Sequence, residues 1–151
     1  MNLDFIPHRK MAFSQIDSQV FIGTNACCMH HFKWELLSKG ITCDISLEGE
    51  AIDQPFGVDC YLWLPTPDHT APSEHTVRVG TAALDEMLKQ GRKVYIHCKN
   101  GHGRAPAFYA AYLILKRGLD WETAWQAIVA SRPEAHLEPT QLAFLQALTR
   151  S

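Results

Sequence analysis

The chain has no excess of either charge: 14 Lys and Arg face 16 Asp and Glu, for a formal net charge of −2. A nucleic-acid-binding face shows as a surplus of basic residues, so that class of partner is excluded. No stretch approaches the ~18 consecutive apolar residues of a membrane span. The N-terminal MNLDFIPHRKMAF lacks the apolar run of a secretory signal, and the C-terminal ALTRS carries no prenylation box. The expected compartment is therefore the cytoplasm, with no membrane anchor. Internal repeats, low-complexity tracts and Gly/Ser linkers are also missing. What remains is 151 residues, 46% apolar and 20% charged. That balance suits one domain over residues 1–151 with a core of its own.

Cysteine is present but not in a framework. Five cysteines stand at 27, 28, 43, 60 and 98, and none forms a C-x-x-C pair. This excludes a zinc ribbon and argues against disulfides. Cys27, Cys28, Cys43 and Cys60 read as small buried apolar residues. His30 and His31 beside Cys27 and Cys28 suggest a metal at first sight. Neighbouring helical residues point about 100° apart and do not converge, so no metal and no cofactor are expected. Trp34, Trp63, Trp121 and Trp125 read as packing residues, the last two being i, i+4 on one helix face.

Hydrophobic periodicity alternates between strand and helix signals. Short strands are expected at Val20–Ile22, Ile41–Leu47, Cys60–Leu64 (read as buried) and Lys93–His97. Helices are expected over Cys28–Ser38, Ser73–Gln90, Arg104–Lys116, Asp120 to about Ser131, and Pro139 to about Leu148. Ser73 and Asp120 serve as caps, and Pro139 suits a first turn. The fold class is α/β: a central, mostly parallel sheet of four to five strands flanked by helices.

The most informative stretch is VYIHCKNGHGRAPAF. An apolar strand runs into Cys98, a loop with Gly101 and Gly103 follows, and Arg104 opens an apolar helix with Pro106 in its first turn. Strand, glycine-containing loop and helix N-terminus build a phosphate cradle, whose backbone N–H groups and helix dipole favour an oxyanion. Lys99, Asn100, Gly101, His102 and Gly103 supply the loop. Arg104 is a planar fork able to grip two phosphate oxygens. A cysteine in such a positive field is expected to ionise readily and act as a nucleophile.

The run His97 to Arg104 resembles the HCxxGxxR signature of cysteine-dependent protein tyrosine phosphatases, and the short chain resembles their dual-specificity branch. Phe21-Ile22-Gly23, Gly40-Ile41-Thr42, Pro67-Asp68, Gly118 and Ala124–Ile128 fall where that family has counterparts. The resemblance implies a cysteinyl-phosphate intermediate on Cys98 and inhibition by phosphate or vanadate. It implies phosphotyrosine-containing protein as substrate, with phosphoserine/threonine or a small phosphorylated molecule behind it. One departure stands out. The family usually places Ser or Thr after the Arg, whereas this chain has Ala105. The GRAP ending is similar to the phosphatases of regenerating liver and implies slow hydrolysis of the intermediate.

A leaving alkoxide needs a proton. Asp68, in the proline-stiffened loop LPTPDHTAPS, stands 30 residues before Cys98 and is the expected general acid. Asp59 is at the wrong end of its strand. His97 is expected to hydrogen-bond within the loop, His69 to be solvated, and Glu48 and Glu50 to be surface charges or a loop over the site. The resemblance places Gln141 where related enzymes carry a water-orienting Gln. Two alternatives stay open. One is a phosphate-recognition module, slow or inactive, which Ala105 favours. The other is a phosphoinositide phosphatase, which positive character at Lys99 and His102 would suit. Cys43 or Cys60 could also capture an oxidised Cys98 as a disulfide.

Overall fold

Strand β5 (Lys93–His97) is the axis of the molecule in the computed structural model, which describes residues 12–150. Four of its five residues are buried, as a strand covered on both faces requires. It lies between β2 (Val20–Gly23) and β3 (Ile41–Glu48), parallel to both. β4 (Cys60–Thr66) extends the sheet beyond β3, again parallel, and β1 (Phe13–Gln15) pairs antiparallel with β2. The order is β1-β2-β5-β3-β4, so the expected mostly parallel sheet is present with five strands. β1 is too short to show a period in the sequence.

The register places Gly23, His97 and Ser46 level across the sheet. The loops that follow β2, β3 and β5 therefore open at the same edge. This carboxyl edge is where α/β sheets hold their ligands.

Side-chain alternation splits the sheet into two unlike faces. Val94, Ile96 and Cys98 join Cys43, Ile45 and Leu47 in the main core. That core is covered by α2 (Glu74–Lys89), α3 (Arg104–Arg117), α4 (Trp121–Val129) and α5 (Pro139–Arg150). α3 buries ten of its fourteen residues, as its nearly continuous apolar surface predicts. Tyr95 points the other way, into a smaller cluster with Phe21, Cys27, Cys28, Phe32, Leu36 and Ile41. His97, two residues on, shares that side, as does Asp44 of β3.

The helix starts follow their sequence signals. Ser73 Oγ accepts from Thr76 N, and Asp120 Oδ1 accepts from Thr123 N. Gly118 ends α3 with φ +72°, which suits a residue lacking Cβ. None of the described helices is long and apolar enough to cross a membrane.

Three expectations are corrected. Residues 28–38 do not form one helix. A 3₁₀ turn spans Asn25–Cys28, and α1 is only Trp34–Leu37. Between them, Phe32 N donates to Phe56 O and Lys33 N to Cys27 O. These bonds seat the Phe32 ring against Tyr95 and override local helix propensity. Second, β4 is an edge strand, so Cys60 is exposed and Trp63 is only partly covered. Third, Cys27 and Cys28 are buried as expected but joined by a disulfide between adjacent residues. The 3₁₀ turn directs both sulfurs into the same small cluster.

Leu84 of α2 is fully buried in the main core. Leu84→Ala removes three heavy side-chain atoms and leaves a cavity, so urea denaturation should show a loss of about 2–5 kcal/mol.

Candidate active site

The residues from 98 to 103 leave β5 as a loop and enter α3 at Arg104. Each carbonyl of the loop's first five residues is held from outside. Cys98 O lies 3.3 Å from His97 Nδ1. Lys99 O accepts from Asn25 N at 3.1 Å and His102 O from His136 N at 2.8 Å. Asn100 O and Gly101 O accept from the Arg132 guanidinium at 3.0 and 2.7 Å. In a planar trans peptide the N–H points opposite to the C=O. The N–H groups of Lys99, Asn100, Gly101, His102 and Gly103 are thereby turned to the concave side. A ring of such donors at a helix N-terminus is an anion nest. Gly103 gives α3 no side-chain cap, so no side chain competes with an anion for the first-turn N–H groups.

Gly101 is the turn that makes this possible. Its φ is +71°, and a Cβ there would stand 2.5 Å from Gly23 O. Any side chain would be strained by the backbone and would push β2 away. Gly101 is buried behind the cradle wall, while Lys99, Asn100, His102 and Gly103 line it.

Asp68, Cys98, Arg104 and Gln141 line the same cavity of about 210 Å³. The structure thus brings together the expected nucleophile, fork and acid. Arg104 is 2% exposed. Its Nη1 donates to Thr66 O at 2.9 Å and to Glu50 Oε1 at 2.8 Å. Asp68 Oδ1 lies 3.5 Å from Arg104 Nε, at the mouth of the site. Nη2 has no protein partner among the described residues and belongs to the cavity wall.

Gln141 is buried, accepting from Glu138 N and donating to Thr70 O. It ties the Asp68 loop to α5 and packs against Gly103. Ala105 does not reach the cavity; it is fully buried at the start of α3. Asp59 pairs with Arg92 at 2.6 Å, away from the site.

One reading of charge is corrected and one is extended. Burial, the Arg132 guanidinium and His136 push the His102 imidazole below its usual range, so it adds no positive charge at neutral pH. His69 is exposed, as expected, and is also paired. Glu138 at 3.0 Å and Asp68 at 3.6 Å raise its pKa above 6.5.

The sequence did not single out Arg132; of the two acids expected as surface charges or a loop over the site, Glu50 lies over the site, whereas Glu48 is buried and not a surface charge. Arg132, 1% exposed, holds two loop carbonyls. Glu50 braces Arg104, and Glu48, 3% exposed, accepts from Asn25 Nδ2. A lone Arg after a helix carries no signal of its own; only the fold reveals its reach.

The proposed capture of an oxidised Cys98 fails on distance. Cys43 pairs with Val94, and Cys60 with Cys43. Val94 is four residues before Cys98, about 13 Å along a strand, beyond the ~7 Å Cα separation a disulfide tolerates.

A strand entering a glycine loop, a cysteine under it, an arginine at the helix start and an aspartate on a neighbouring loop fit the dual-specificity class of cysteine-dependent phosphatases. Residues 23–118 match the Tc-R-P family, described as "Polymorphic toxin system, DSP-PTPase phosphatase", and the chain belongs to it. Among curated proteins, it is 24% identical to laforin of Mus musculus over 131 residues, covering 83% of this chain and 40% of laforin. It is 36% identical to dual specificity phosphatase 28 of Homo sapiens over 58 residues, covering 38% of this chain and 33% of that protein. It is 35% identical to phosphatidylglycerophosphatase and protein-tyrosine phosphatase 1 of Homo sapiens over 86 residues, 56% of this chain and 43% of that one. The matched stretches thus span less than half of these relatives. The fold superposes on human DUSP28 with TM-score 0.81 at 22% identity, covering 91% and 95% of the two chains. PTPMT1 gives TM-score 0.76 at 24% identity, covering 92% and 94%.

Two outcomes follow from this geometry. Arg132→Lys keeps a charge but cannot bond two carbonyls through a planar fork. Vanadate affinity, measured by calorimetry, should fall by roughly 10- to 100-fold, the scale of a small misplacement in a site. For His69, pairing favours the protonated ring, so its contribution is complete below pH 6.5 and is lost as pH rises through the raised folded value. An NMR titration should place the His69 midpoint above 6.5, and Glu138→Gln should lower it.

Proposed function

We propose that this chain is a phosphomonoester hydrolase that forms a cysteinyl-phosphate on Cys98, and that residues 1–151 make one catalytic domain. The observation that carries the reading is the outward tethering of the loop carbonyls. It leaves five N–H groups and Arg104 Nη2 around Cys98 with no partner among the described residues, as an oxyanion requires. Cys98 Sγ attacks phosphorus in line, displacing the ester oxygen. The loop N–H groups and Arg104 bind the three equatorial oxygens as charge redistributes. Asp68 gives its proton to the leaving oxygen. In the second step Asp68 takes a proton from water, which attacks phosphorus and releases Sγ. Gln141 uses two of its hydrogen-bonding positions on Glu138 and Thr70, which leaves one N–H and one lone pair to orient that water.

Phosphotyrosine-containing protein is the substrate this reading favours, with phosphoserine/threonine and small phosphorylated molecules behind it. Free phosphate and vanadate would compete for the same nest. Neutral His102 removes one support for a phosphoinositide, although Lys99 remains exposed at the rim. A thiol nucleophile works in a reducing compartment, which favours the cytoplasm. A recognition module would need the nest and Arg104 but not the acid. Asp68 beside Arg104 therefore supports catalysis over mere binding.

Quench-flow with p-nitrophenyl phosphate tests the reading. A burst of about one equivalent followed by slow turnover is expected, and Cys98→Ser should abolish both. Asp68→Ala should lower turnover by roughly 10²- to 10⁴-fold for a substrate with a poor leaving group. Ala105→Ser should speed the slow phase without changing the burst. Vanadate binding with neither burst nor turnover would establish a recognition module instead.

A further inference from the structure

Behind the phosphate loop, on the sheet face away from α2–α5, donor atoms gather. Cys27, Cys28, Asp44 and His97 are all buried, and one ligand atom from each lies within 4.8 Å of the others. His97 Nε2 stands 3.5 Å from Cys28 Sγ, 3.2 Å from Asp44 Oδ1 and 3.2 Å from Asp53 Oδ2. A ring nitrogen carries at most one hydrogen and cannot serve three acceptors. The other ring nitrogen, Nδ1, faces Cys98 O. A carbonyl only accepts, so Nδ1 donates to it, and Nε2 is the nitrogen that faces Cys28, Asp44 and Asp53. Both Asp44 oxygens are buried without a geometric hydrogen bond, and Oδ1 has the ion-pair approach of Nε2 at 3.2 Å. Buried polar atoms nearly always have partners. Here two sulfurs, a ring nitrogen and a carboxylate oxygen, all atoms that can ligate a metal, converge behind the loop.

We propose that, once the Cys27–Cys28 disulfide is reduced, Cys27, Cys28, Asp44 and His97 bind a Zn²⁺ ion. Two thiolates, one imidazole nitrogen and one carboxylate oxygen form a four-ligand set of the kind zinc prefers. Two equivalents of a thiol reductant supply the two electrons and two protons that open the S–S bond, and become a disulfide themselves. Each cysteine then loses its proton as it binds. The zinc stays divalent throughout. Oxidation back to the disulfide removes both sulfur donors and releases the ion.

The adjacent-residue pair expected to diverge on a helix sits instead in the 3₁₀ turn. The exposed His30 and His31 take no part. A second, separate cavity of about 210 Å³, walled by Met29, Ile52 and Asp53, reaches Cys28. Met29 and Ile52 are well exposed, so this cavity is an entry path. The site is closed by protein ligands and faces away from the phosphate nest, so its role is structural. A metal-bound histidine donates its other N–H to a carbonyl or carboxylate that orients it. Here that carbonyl belongs to Cys98, so zinc would fix the first peptide of the phosphate loop.

The test is a Co²⁺ titration of the full chain, chelator-treated and reduced with a phosphine, followed by absorption spectroscopy. One Co²⁺ per chain should give thiolate-to-metal charge transfer and tetrahedral d–d bands, and one Zn²⁺ should displace it. Cys98→Ser should leave the spectrum unchanged, which separates this site from the nucleophile and from the catalytic reading. The disulfide form of the same chain should bind nothing, a control free of folding defects. Asp44→Asn, nearly isosteric, should weaken binding by at least tenfold, and Cys28→Ser should abolish the charge-transfer band. A reduced chain without that band overturns the proposal, as does loss of the band in Cys98→Ser or its persistence in Cys28→Ser. A disulfide that resists the phosphine, read by mass spectrometry of alkylated peptides, overturns it too.

Discussion

Backbone carbonyls need partners, and around Cys98 that requirement shapes the molecule. The peptides linking residues 98–103 carry five carbonyls; the first faces the neighbouring His97, and the other four are held from other parts of the fold by Asn25, Arg132 and His136. Turning those oxygens outward turns the N–H groups inward, because the peptide is planar. The positive φ of Gly101 and its contact with Gly23 follow from the same demand. So does the burial of Arg132, a charged residue that interiors rarely accept without full pairing. The nest is therefore preorganised, and an arriving anion need not bend the loop.

The charges around the nest are arranged by the same logic. Arg104 is fixed by Thr66 at the end of β4 and by Glu50 on the loop after β3. Its fork is aimed before any phosphate arrives. Asp68 and Glu138 stand at the rim with His69 between them, so the acid-bearing loop is linked to the start of α5. Gln141 makes a second link through Thr70. Cys98 and Arg104 belong to the β5–α3 connection and Asp68 to the β4–α2 connection, and both leave the same edge of the sheet.

The two faces of the sheet do different work. The helical face is apolar and supplies the main core. The opposite face carries Asp44, His97 and the Cys27–Cys28 pair beside the Tyr95 cluster. Because side chains alternate along β5, Cys98 and His97 point to opposite faces. Cys98 faces the nest, and its neighbour His97 joins the polar cluster behind the loop. A change in that cluster reaches the nest through one peptide group.

The sequence alone determined the repeating backbone and the loop. Period-two alternation in KVYIH and ITCDISL, the caps Ser73 and Asp120, and Pro139 at a helix start are local signals, and local sterics and hydrogen bonds obey them. HCKNGHGR was legible because its glycines, its arginine and the flanking apolar strand and helix are all contiguous. The tertiary structure decided what spans the chain. Arg132 reaches carbonyls 31 and 32 residues away, and Glu50 meets Arg104 across 54. Phe32 gave up its helix for a bond to Phe56. The convergence of Asp44, His97 and Cys28 depends on three strands being stacked in register. No local period encodes such meetings, because they depend on which faces pack and on where the sheet edge brings its loops together.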